Sequence, residues 1–486
     1  MGLTSSNQAT RPTSSLPIVG KGEYDVGCAD LMVAAENEND CGLFARIFYP
    51  ASLSHDSREE PVQYPLWKPR AEYLNGLAEY RQMHPRKMHF FFDWIVGERR
   101  IPASWAEPLY SHRLERTNVH NLNTSLHGSQ SAVQLNEKSE EERRVPHSHS
   151  AQCLEEDLDD PKFPVLIFSH GISGNRICYS TLCASLASYG YVVVAIEHRD
   201  RSASWSFTLE TDPISGVIIE RPITMTTYPD GEAEFKQRNR QLHYRVGECL
   251  RAFSVMEELN AGIAGPIDRK LTGSKIIYGY DFDWSQFKGR LDMEKAAMVG
   301  HSFGASAAIA AAAFSTDFST AVSLDGWLYP IETDLYSRVT QSTLFLNANK
   351  WQWPENVKRM YYLENQTLFT FKDIVHQSFS DFAYLMPGYV GRKFALQGEL
   401  DPTFTGEAIL EIVVAHLRRC FGQDGPEPRE VANRYEDFVF EGTDLDTSLT
   451  TPPPWNPNAP PPDLSHLKNE KTELNGTQTN SSSAPV

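Results

Sequence analysis

The sequence lacks long apolar segments. Nowhere in its 486 residues is there an uninterrupted apolar run of about 18 residues, the length that a membrane-spanning helix needs. The first thirty residues also contain no apolar run long enough for the core of a secretory signal peptide. We therefore expect a cytoplasmic chain that is not secreted and has no transmembrane helix.

Paired cysteines and an excess of positive charge are also missing. The seven cysteines are spread along the chain with no C-x-x-C pair, which favours free thiols in a reducing compartment over a disulfide framework. The formal net charge is −18, so nucleic acid and anionic membrane surfaces would on average repel the chain. We expect no nucleic-acid partner.

Two segments are too polar to form a core. The segment from Leu114 to Pro161 is charged and poor in aromatic residues, and the chain beyond residue 422 is rich in Pro, Asn, Ser and Thr. Such compositions bury too little apolar surface to offset the entropy lost on ordering. The sequence therefore predicts a flexible N terminus over residues 1–15, one folded domain over 16–422 with a disordered insertion at about 114–161, and a low-complexity tail over 423–486.

The rest of the chain alternates apolar runs with helical patterns. Five short apolar runs end in polar clusters, as buried parallel strands do: PVLIFSHG, YVVVAIEHRD, AAMVGHSFG, STAVSLDGW and STLFLNANK. The segment YSTLCASLASYG, closed by Gly190, and an apolar stripe between Glu232 and Leu259 indicate helices. This alternation predicts βαβ units, and hence an α/β fold whose mostly parallel central sheet is flanked by helices.

The segment Gly300-His301-Ser302-Phe303-Gly304 has the G-x-S-x-G pattern. The strand-like AAMV precedes it and the alanine-rich ASAAIAAAAF, which favours a helix, follows it. A nucleophile elbow requires this strand–turn–helix context, because two glycines permit the sharp turn that carries the serine into the site. The pattern predicts an α/β-hydrolase fold with Ser302 as the nucleophile.

A serine nucleophile needs a histidine base and a carboxylate, which follow it in the chain in the order acid, then histidine. Asp325 closes the strand STAVSLD, whereas the next strand, STLFLNANKWQW, ends without a carboxylate. Asp325 is therefore the predicted acid, and the alternative is a helix N-cap or turn aspartate. Of the two later histidines, His376 follows the strand-like TLFTFKDIV and is the predicted base. The other, His416, lies in an amphipathic helix, where an exposed or cap-proximal side chain is expected.

The oxyanion of such a reaction needs backbone donors. One predicted donor is the N–H of Phe303, directly after the nucleophile, and the other comes from the loop SHGISG after an early strand. In that loop Ile172 is the predicted donor. The alternative is that Gly171 serves only as a turn glycine.

Taken together, these motifs resemble the platelet-activating-factor acetylhydrolase family, the calcium-independent group of secreted and intracellular phospholipases A2. The matching stretches cover residues 16–422 apart from the insertion, and include FSHGISGNR, SLASYGYVVVAIEHRDRSAS, AAMVGHSFG, SLDGW and VHQSFSDF. The resemblance places the family's nucleophile, acid and base on Ser302, Asp325 and His376. It places the family's oxyanion donors on Ile172 and Phe303.

The resemblance implies hydrolysis of short or oxidised sn-2 acyl chains from phospholipids through an acyl-enzyme, with no metal or other cofactor. The Met1-Gly2 start with Ser6 fits the N-myristoylation pattern and is similar to the intracellular member of the family. Gly2 is therefore a predicted acylation site, and reversible membrane association is expected. The alternatives are a general carboxylesterase or lipase of the same fold, and a lipid-binding protein that keeps the fold without turnover.

Two aromatic stretches are candidates for contact with a lipid interface. They are MHFFFDWIVG, with Phe90, Phe91, Phe92, Trp94 and Ile95, and IPASWAEPLY, with Trp105 and Leu109. The alternative is that these side chains pack in the core or over a sheet edge.

Overall fold

The computed structural model describes residues 14–35, 40–52, 62–112, 160–211, 217–227 and 232–449. Gly2, the predicted insertion up to residue 159 and the tail from residue 450 onward lie outside these ranges.

The described ranges contain fourteen strands and ten α-helices. The strands are β1 (Asp25–Val33), β2 (Leu43–Ala51), β3 (Ser104–Trp105), β4 (Phe163–Ser169), β5 (Val192–Ile196), β6 (Trp205–Thr211), β7 (Ile218–Thr224), β8 (Gly265–Pro266), β9 (Lys275–Tyr278), β10 (Leu291–His301), β11 (Phe318–Leu324), β12 (Ser342–Ala348), β13 (Gln366–Phe371) and β14 (Val439–Glu441). The helices are α1 (Glu72–Tyr80), α2 (Pro85–Phe91), α3 (Ser180–Ser188), α4 (Glu232–Ala261), α5 (Phe303–Phe314), α6 (Pro354–Met360), α7 (Phe382–Leu385), α8 (Gly388–Lys393), α9 (Pro402–Cys420) and α10 (Pro428–Asn433). A π-helix covers Phe92–Val96, and 3-10 helices cover Trp284–Phe287, Thr333–Arg338 and His376–Phe379.

The central sheet is mostly parallel, as predicted. Its order is β14-β13-β12-β11-β10-β4-β5-β2-β1-β9-β8, with β3 beside β1. The six consecutive strands from β13 to β5 run parallel. The five predicted strands are β4, β5, β10, β11 and β12, and the two predicted helices are α3 and α4, so the prediction of βαβ units is confirmed. Strands β2, β1 and β9 continue the sheet in antiparallel pairs.

Helices cover both faces of the parallel part of the sheet. The chain moves from β4 through α3 to β5 in one direction along the sheet, and from β10 through α5 to β11 in the opposite direction. Because parallel crossovers are right-handed, these opposite directions place α3 and α5 on opposite faces. The strand order reverses between β4 and β10. In open α/β sheets, ligands bind beside the loops that follow the strands at such a switch point.

The folded domain extends beyond its predicted end at residue 422, so that boundary is wrong. Helix α10 packs against α9, and β14 pairs with β13 in antiparallel register. Val431, Phe438 and Val439 are buried in the main core. These buried apolar residues are few and lie among charged ones. The apolar pattern is therefore too short to predict a strand or a helix from the sequence.

The described residues on either side of the predicted insertion contact each other. Asp160 accepts hydrogen bonds from the His112 backbone N–H at 2.9 Å and from Ser111 Oγ at 3.2 Å. It also lies 3.5 Å from an Arg290 guanidinium nitrogen. His112 and Asp160, which border residues 113–159, therefore lie next to each other.

In the part of the chain that the structure describes, no helix is both long enough and apolar enough to cross a bilayer.

Candidate active site

Ser302 lies on a strained turn between β10 and α5. Its φ of 57° and ψ of −120° fall outside the regions that L-residues favour, a conformation that costs about 1–3 kcal/mol and is common at active sites. The turn is held in place because the Ser302 N–H donates to Leu324 O at 3.0 Å and Ser302 O accepts from the Trp327 N–H at 3.0 Å. The predicted elbow geometry is therefore present.

The two glycines of the motif are required by close backbone contacts. A Cβ on Gly300 would lie 2.1 Å from Gly304 O, and a Cβ on Gly304 would lie 2.0 Å from Ser169 O. Neither contact can be relieved by a side-chain movement, because both neighbours are backbone atoms. The first turn of α5 can consequently pack directly against the end of β4.

Asp325 and His376 form a direct hydrogen bond. Asp325 follows β11, and its Oδ2 accepts from His376 Nδ1 at 2.7 Å. The other carboxylate oxygen, Oδ1, accepts from the Ala348 N–H at 2.9 Å and from Gln352 Nε2 at 2.7 Å. With its proton on Nδ1, the imidazole of His376 has a free lone pair on Nε2, the nitrogen that a general base uses.

Burial governs the protonation of this pair. Desolvation lowers the pKa of His376 below its ordinary value, so the imidazole is neutral before reaction. Desolvation also raises the pKa of Asp325, and the hydrogen bonds from Gln352 and the Ala348 N–H act in the opposite direction by favouring the carboxylate. Three donors surround Asp325, so both of its carboxylate oxygens act as acceptors.

The His376 ring is held between aromatic neighbours. Trp351 stacks on it with ring centroids 3.8 Å apart and an interplanar angle of 14°. The His301 ring lies 4.4 Å away, and His301 Nε2 is 3.0 Å from the His376 carbonyl oxygen. His301 directly precedes Ser302 in the chain, so His376 and Ser302 share this neighbour. The described ranges contain no hydrogen bond between Ser302 Oγ and His376, and that contact stays a prediction.

The predicted oxyanion loop lies beside Ser302. A Cβ on Gly171 would lie 3.1 Å from Ser302 Cβ, so the loop and the serine side chain are in van der Waals range. The Gly171 carbonyl accepts from His170 Nδ1 at 2.7 Å and from the Gly174 N–H at 3.1 Å. Because the peptide is trans, the Ile172 N–H of the same peptide unit points away from those donors. No acceptor for the N–H of Ile172 or of Phe303 occurs among the residues that the structure describes.

A second carboxylate anchors the loop that carries His376. Asp381 lies at the end of this loop and accepts from the backbone N–H groups of Ser180 and Thr181, each at 2.8 Å, at the start of α3. It also accepts from Trp67 Nε1 at 3.0 Å. These bonds fix the loop to the face of the sheet that α3 covers.

His416 is outside the site, but the expectation that it is exposed is wrong. It is fully buried in α9, and its Nε2 lies 2.7 Å from Thr320 Oγ1. Helix α9 packs against the sheet. A histidine on the face of α9 that contacts the sheet is therefore buried, even though the helix is amphipathic.

The aromatic candidates for lipid contact divide into two groups. Phe90 and Trp94 are 69% and 76% exposed, and their rings stack with centroids 6.4 Å apart. Phe92 is only 4% exposed and stacks on the buried Trp67, and Leu109 is also buried. Phe91, Ile95 and Trp105 are half-buried against the core. The exposed pair lies on neighbouring turns of α2 and the π-helix.

Sequence reasoning missed Trp351 and Gln352, which contact His376 and Asp325. It also missed Tyr179, which contacts Gly171 and His301. The G-x-S-x-G pattern places His301 directly before Ser302, so its position next to the predicted nucleophile could be predicted. Its hydrogen-bond partners could not, because they are distant in sequence. In the portion of the chain that is described, no group of three or more His, Cys, Asp or Glu side chains is placed to hold a metal ion.

Comparison with known proteins gives consistent matches. The sequence model of the family described as platelet-activating factor acetylhydrolase, isoform II, matches residues 9–120 and 120–426. A platelet-activating factor acetylhydrolase of Gallus gallus is 30% identical over 448 residues, which cover 89% of this chain and 90% of that protein. One of Canis lupus familiaris is 28% identical over 454 residues, covering 92% and 87%. A putative phospholipase A2 of Schizosaccharomyces pombe is 28% identical over 287 residues, covering 50% and 64%.

Proposed function

This chain belongs to the platelet-activating factor acetylhydrolase family, isoform II, and we propose on that basis that it hydrolyses short or oxidised sn-2 acyl chains from phospholipids. The observation that carries the proposal is the pairing of a strained serine elbow with an aspartate–histidine hydrogen bond of 2.7 Å at the switch point of the sheet. Ser302 is the nucleophile, His376 the base and Asp325 the acid that holds the base.

The reaction proceeds through an acyl-enzyme. Ser302 Oγ attacks the sn-2 carbonyl carbon while His376 Nε2 takes the hydroxyl proton, and Asp325 stabilises the imidazolium that forms. The carbonyl oxygen becomes an oxyanion held by the N–H groups of Ile172 and Phe303. Collapse breaks the sn-2 ester bond, and the departing lysophospholipid oxygen takes its proton from His376.

Water then completes the cycle. His376, neutral again, removes a proton from a water molecule as it attacks the acyl group on Ser302. The second tetrahedral intermediate releases the short carboxylic acid and returns the proton to Ser302. Each step uses groups of this chain and water alone, so activity without calcium forms part of the proposal.

A substrate comparison tests the proposed substrate class. We expect kcat/KM for an sn-2 acetyl phospholipid to exceed that for a long-chain phospholipid by about 100-fold, the size of discrimination that a shape-limited acyl pocket gives. EDTA should leave the rate unchanged. Release of the sn-2 acid from acetyl, truncated oxidised and long-chain phospholipids, and hydrolysis of a simple aryl ester, are measured side by side. Equal rates on long chains would point to a general lipase, and activity on the aryl ester alone to a carboxylesterase.

Membrane association is the second part of the proposal. Phe90 and Trp94 present a stacked apolar pair to solvent, and aromatic side chains of this kind insert at the lipid headgroup boundary. Myristoylation of Gly2 in the cytoplasm would add a single acyl chain, which gives only marginal attachment by itself. Two weak anchors together make reversible binding to a membrane.

The double variant Phe90→Ser and Trp94→Ser should bind zwitterionic phosphatidylcholine vesicles about 10- to 100-fold more weakly. This corresponds to about 1.4–2.8 kcal/mol for two partly inserted rings, less than the roughly 1.5–3 kcal/mol that full burial gives each. Its kcat/KM on a soluble monomeric ester should not change. Vesicle sedimentation measures the binding, and Tyr280→Ser removes an equally exposed aromatic as the matched control. Gly2→Ala, expressed where acylation occurs, tests the second anchor in the same assay. Unchanged vesicle binding of the double variant would remove these rings from the interface.

A further inference from the structure

Two loops of the site meet at one phenol, and a third is joined to it through His301. The Tyr179 hydroxyl, buried at the start of α3, lies 3.1 Å from the N–H of Gly171 in the oxyanion loop. It also lies 2.8 Å from Nδ1 of His301, the residue before the nucleophile. His301 Nε2 in turn lies 3.0 Å from the carbonyl oxygen of His376. These contacts join residues that are between 8 and 122 positions apart in the chain.

Every proton along this chain of bonds can be assigned. A carbonyl oxygen only accepts, so His301 Nε2 must carry the hydrogen that it donates to His376 O. A neutral imidazole then has a bare lone pair on Nδ1, which accepts from the Tyr179 hydroxyl. The phenol oxygen keeps a lone pair for the Gly171 N–H. Each donor has one acceptor, and the direction of all three bonds is fixed.

The surroundings keep both side chains in the protonation states that this arrangement needs. Burial, with the nearby His376, holds the pKa of His301 well below its usual range, and burial raises the pKa of the Tyr179 phenol. A neutral His301 matters for the proposed reaction, because an imidazolium only 4.4 Å from the His376 ring would oppose the positive charge that His376 acquires.

We infer that Tyr179 is a positioning residue, whose hydroxyl holds the oxyanion loop, the nucleophile elbow and the base loop in register through His301. The inference rests on the proposed function, since it names what aligns the proposed oxyanion hole. Gly171 is one residue before the proposed donor Ile172. Loss of the hydrogen bond from the Gly171 N–H therefore lets the Gly171–Ile172 peptide, which carries the donor N–H, shift relative to Ser302. Among the described residues, the Tyr179 hydroxyl bonds to Gly171 and His301 and to none of Ser302, Asp325 and His376, so it acts through these partners.

Tyr179→Phe removes one oxygen and keeps the ring in place. We expect kcat to fall about 10- to 100-fold, because a displacement of about 1 Å at an oxyanion donor costs up to about 100-fold. KM should change less than about twofold, since bonds made only in the transition state are weakened. Binding of a trifluoromethyl ketone, which forms an oxyanion on Ser302, should weaken in parallel with kcat. These are measured with p-nitrophenyl acetate and with an acetylated phospholipid.

Tyr49→Phe is the matched control. The Tyr49 hydroxyl is equally buried and donates to the carbonyl of Glu107 at 2.6 Å, in the antiparallel part of the sheet away from the triad. The two variants should lose similar thermal stability, but only Tyr179→Phe should lose kcat. Equal kcat in both variants would overturn the inference.

A second variant keeps the test decisive if the first folds poorly. His301→Gln by itself should lower kcat with an unchanged KM. Tyr179→Phe should lower kcat much less in the His301→Gln background than in the wild-type background, since both side chains act in one chain of bonds. Fully additive losses would contradict the inference. Failure of the proposed substrate class is distinguishable, because the oxyanion hole is also used with the aryl ester. A wild type that hydrolyses only that ester would leave the Tyr179 comparison intact.

Discussion

Replacing Ser302 with alanine is expected to reduce hydrolysis of an acetylated phospholipid by about 10⁴-fold or more, to the residual rate that binding and an oxyanion hole provide without a nucleophile. The substitution removes the only atom that forms the acyl-enzyme and leaves the elbow backbone in place. Covalent labelling by a fluorophosphonate should disappear at the same time. Release of acetate with EDTA present, and mass spectrometry of the labelled protein, measure the two effects.

Ser315→Ala is a matched control for this experiment. Ser315 caps the far end of α5, the helix that begins directly after Ser302, and its Oγ bonds to Asp317 at the surface. This control should keep wild-type rates and labelling. Ser302→Ala with more than about 1% of the wild-type rate would contradict the assignment of the nucleophile, since triad nucleophiles contribute far more than this. A wild type that is neither labelled nor active would instead favour the lipid-binding alternative without turnover.

The second large effect is expected for Asp325→Asn, which should lower kcat by about 10⁴-fold with little change in fold. Two donors, the Ala348 N–H and Gln352 Nε2, already point at Oδ1. The amide oxygen of the variant will therefore occupy that position, and its NH₂ group will face His376 Nδ1. That nitrogen must then accept, which moves the imidazole proton to Nε2 and removes the lone pair that the base uses.

Steady-state kinetics and thermal unfolding check this prediction. Asp373→Asn is the matched control, because Asp373 also has a positive φ, of 58°, in the loop after a parallel strand, here β13. Its carboxylate is half exposed and pairs with Lys350. The control should stay within about twofold of the wild type, as surface ion pairs contribute at most about 1 kcal/mol. If Asp325→Asn retained more than a tenth of the activity, the acid would have to be sought elsewhere.

Much of the site could be predicted because it is made of strand ends. In a parallel sheet the carboxyl ends of neighbouring strands meet at one edge, so polar residues after β4, β10 and β11 are close in space whatever the side-chain details. Ser302, Asp325 and the loop of Gly171 each follow such a strand, and His376 follows β13. The glycine spacing around Ser302 also predicted the turn, because only glycine tolerates the backbone contacts of the elbow.

Other features depended on packing between distant parts of the chain. Phe90 and Phe92 are two residues apart in one aromatic stretch, yet one is exposed and the other is buried against Trp67. The end of the domain was misplaced because β14 gains its stability by pairing with β13, about 70 residues earlier. His416 is buried for a similar reason, since α9 lies against the sheet.

The sequence by itself determined the α/β order of elements, the strained turn at Ser302 and the positions of Asp325 and His376 along the chain. The periodicity of apolar residues and the residue types that form turns are local properties, which neighbouring residues in the sequence determine. Only the tertiary structure decided that Gln352 and Ala348 orient Asp325, that Trp351 stacks on His376, and that Tyr179 meets Gly171 and His301. A hydrogen bond needs its two partners within about 3 Å in a defined direction, and sequence spacing carries no such distance for residues brought together from separate loops.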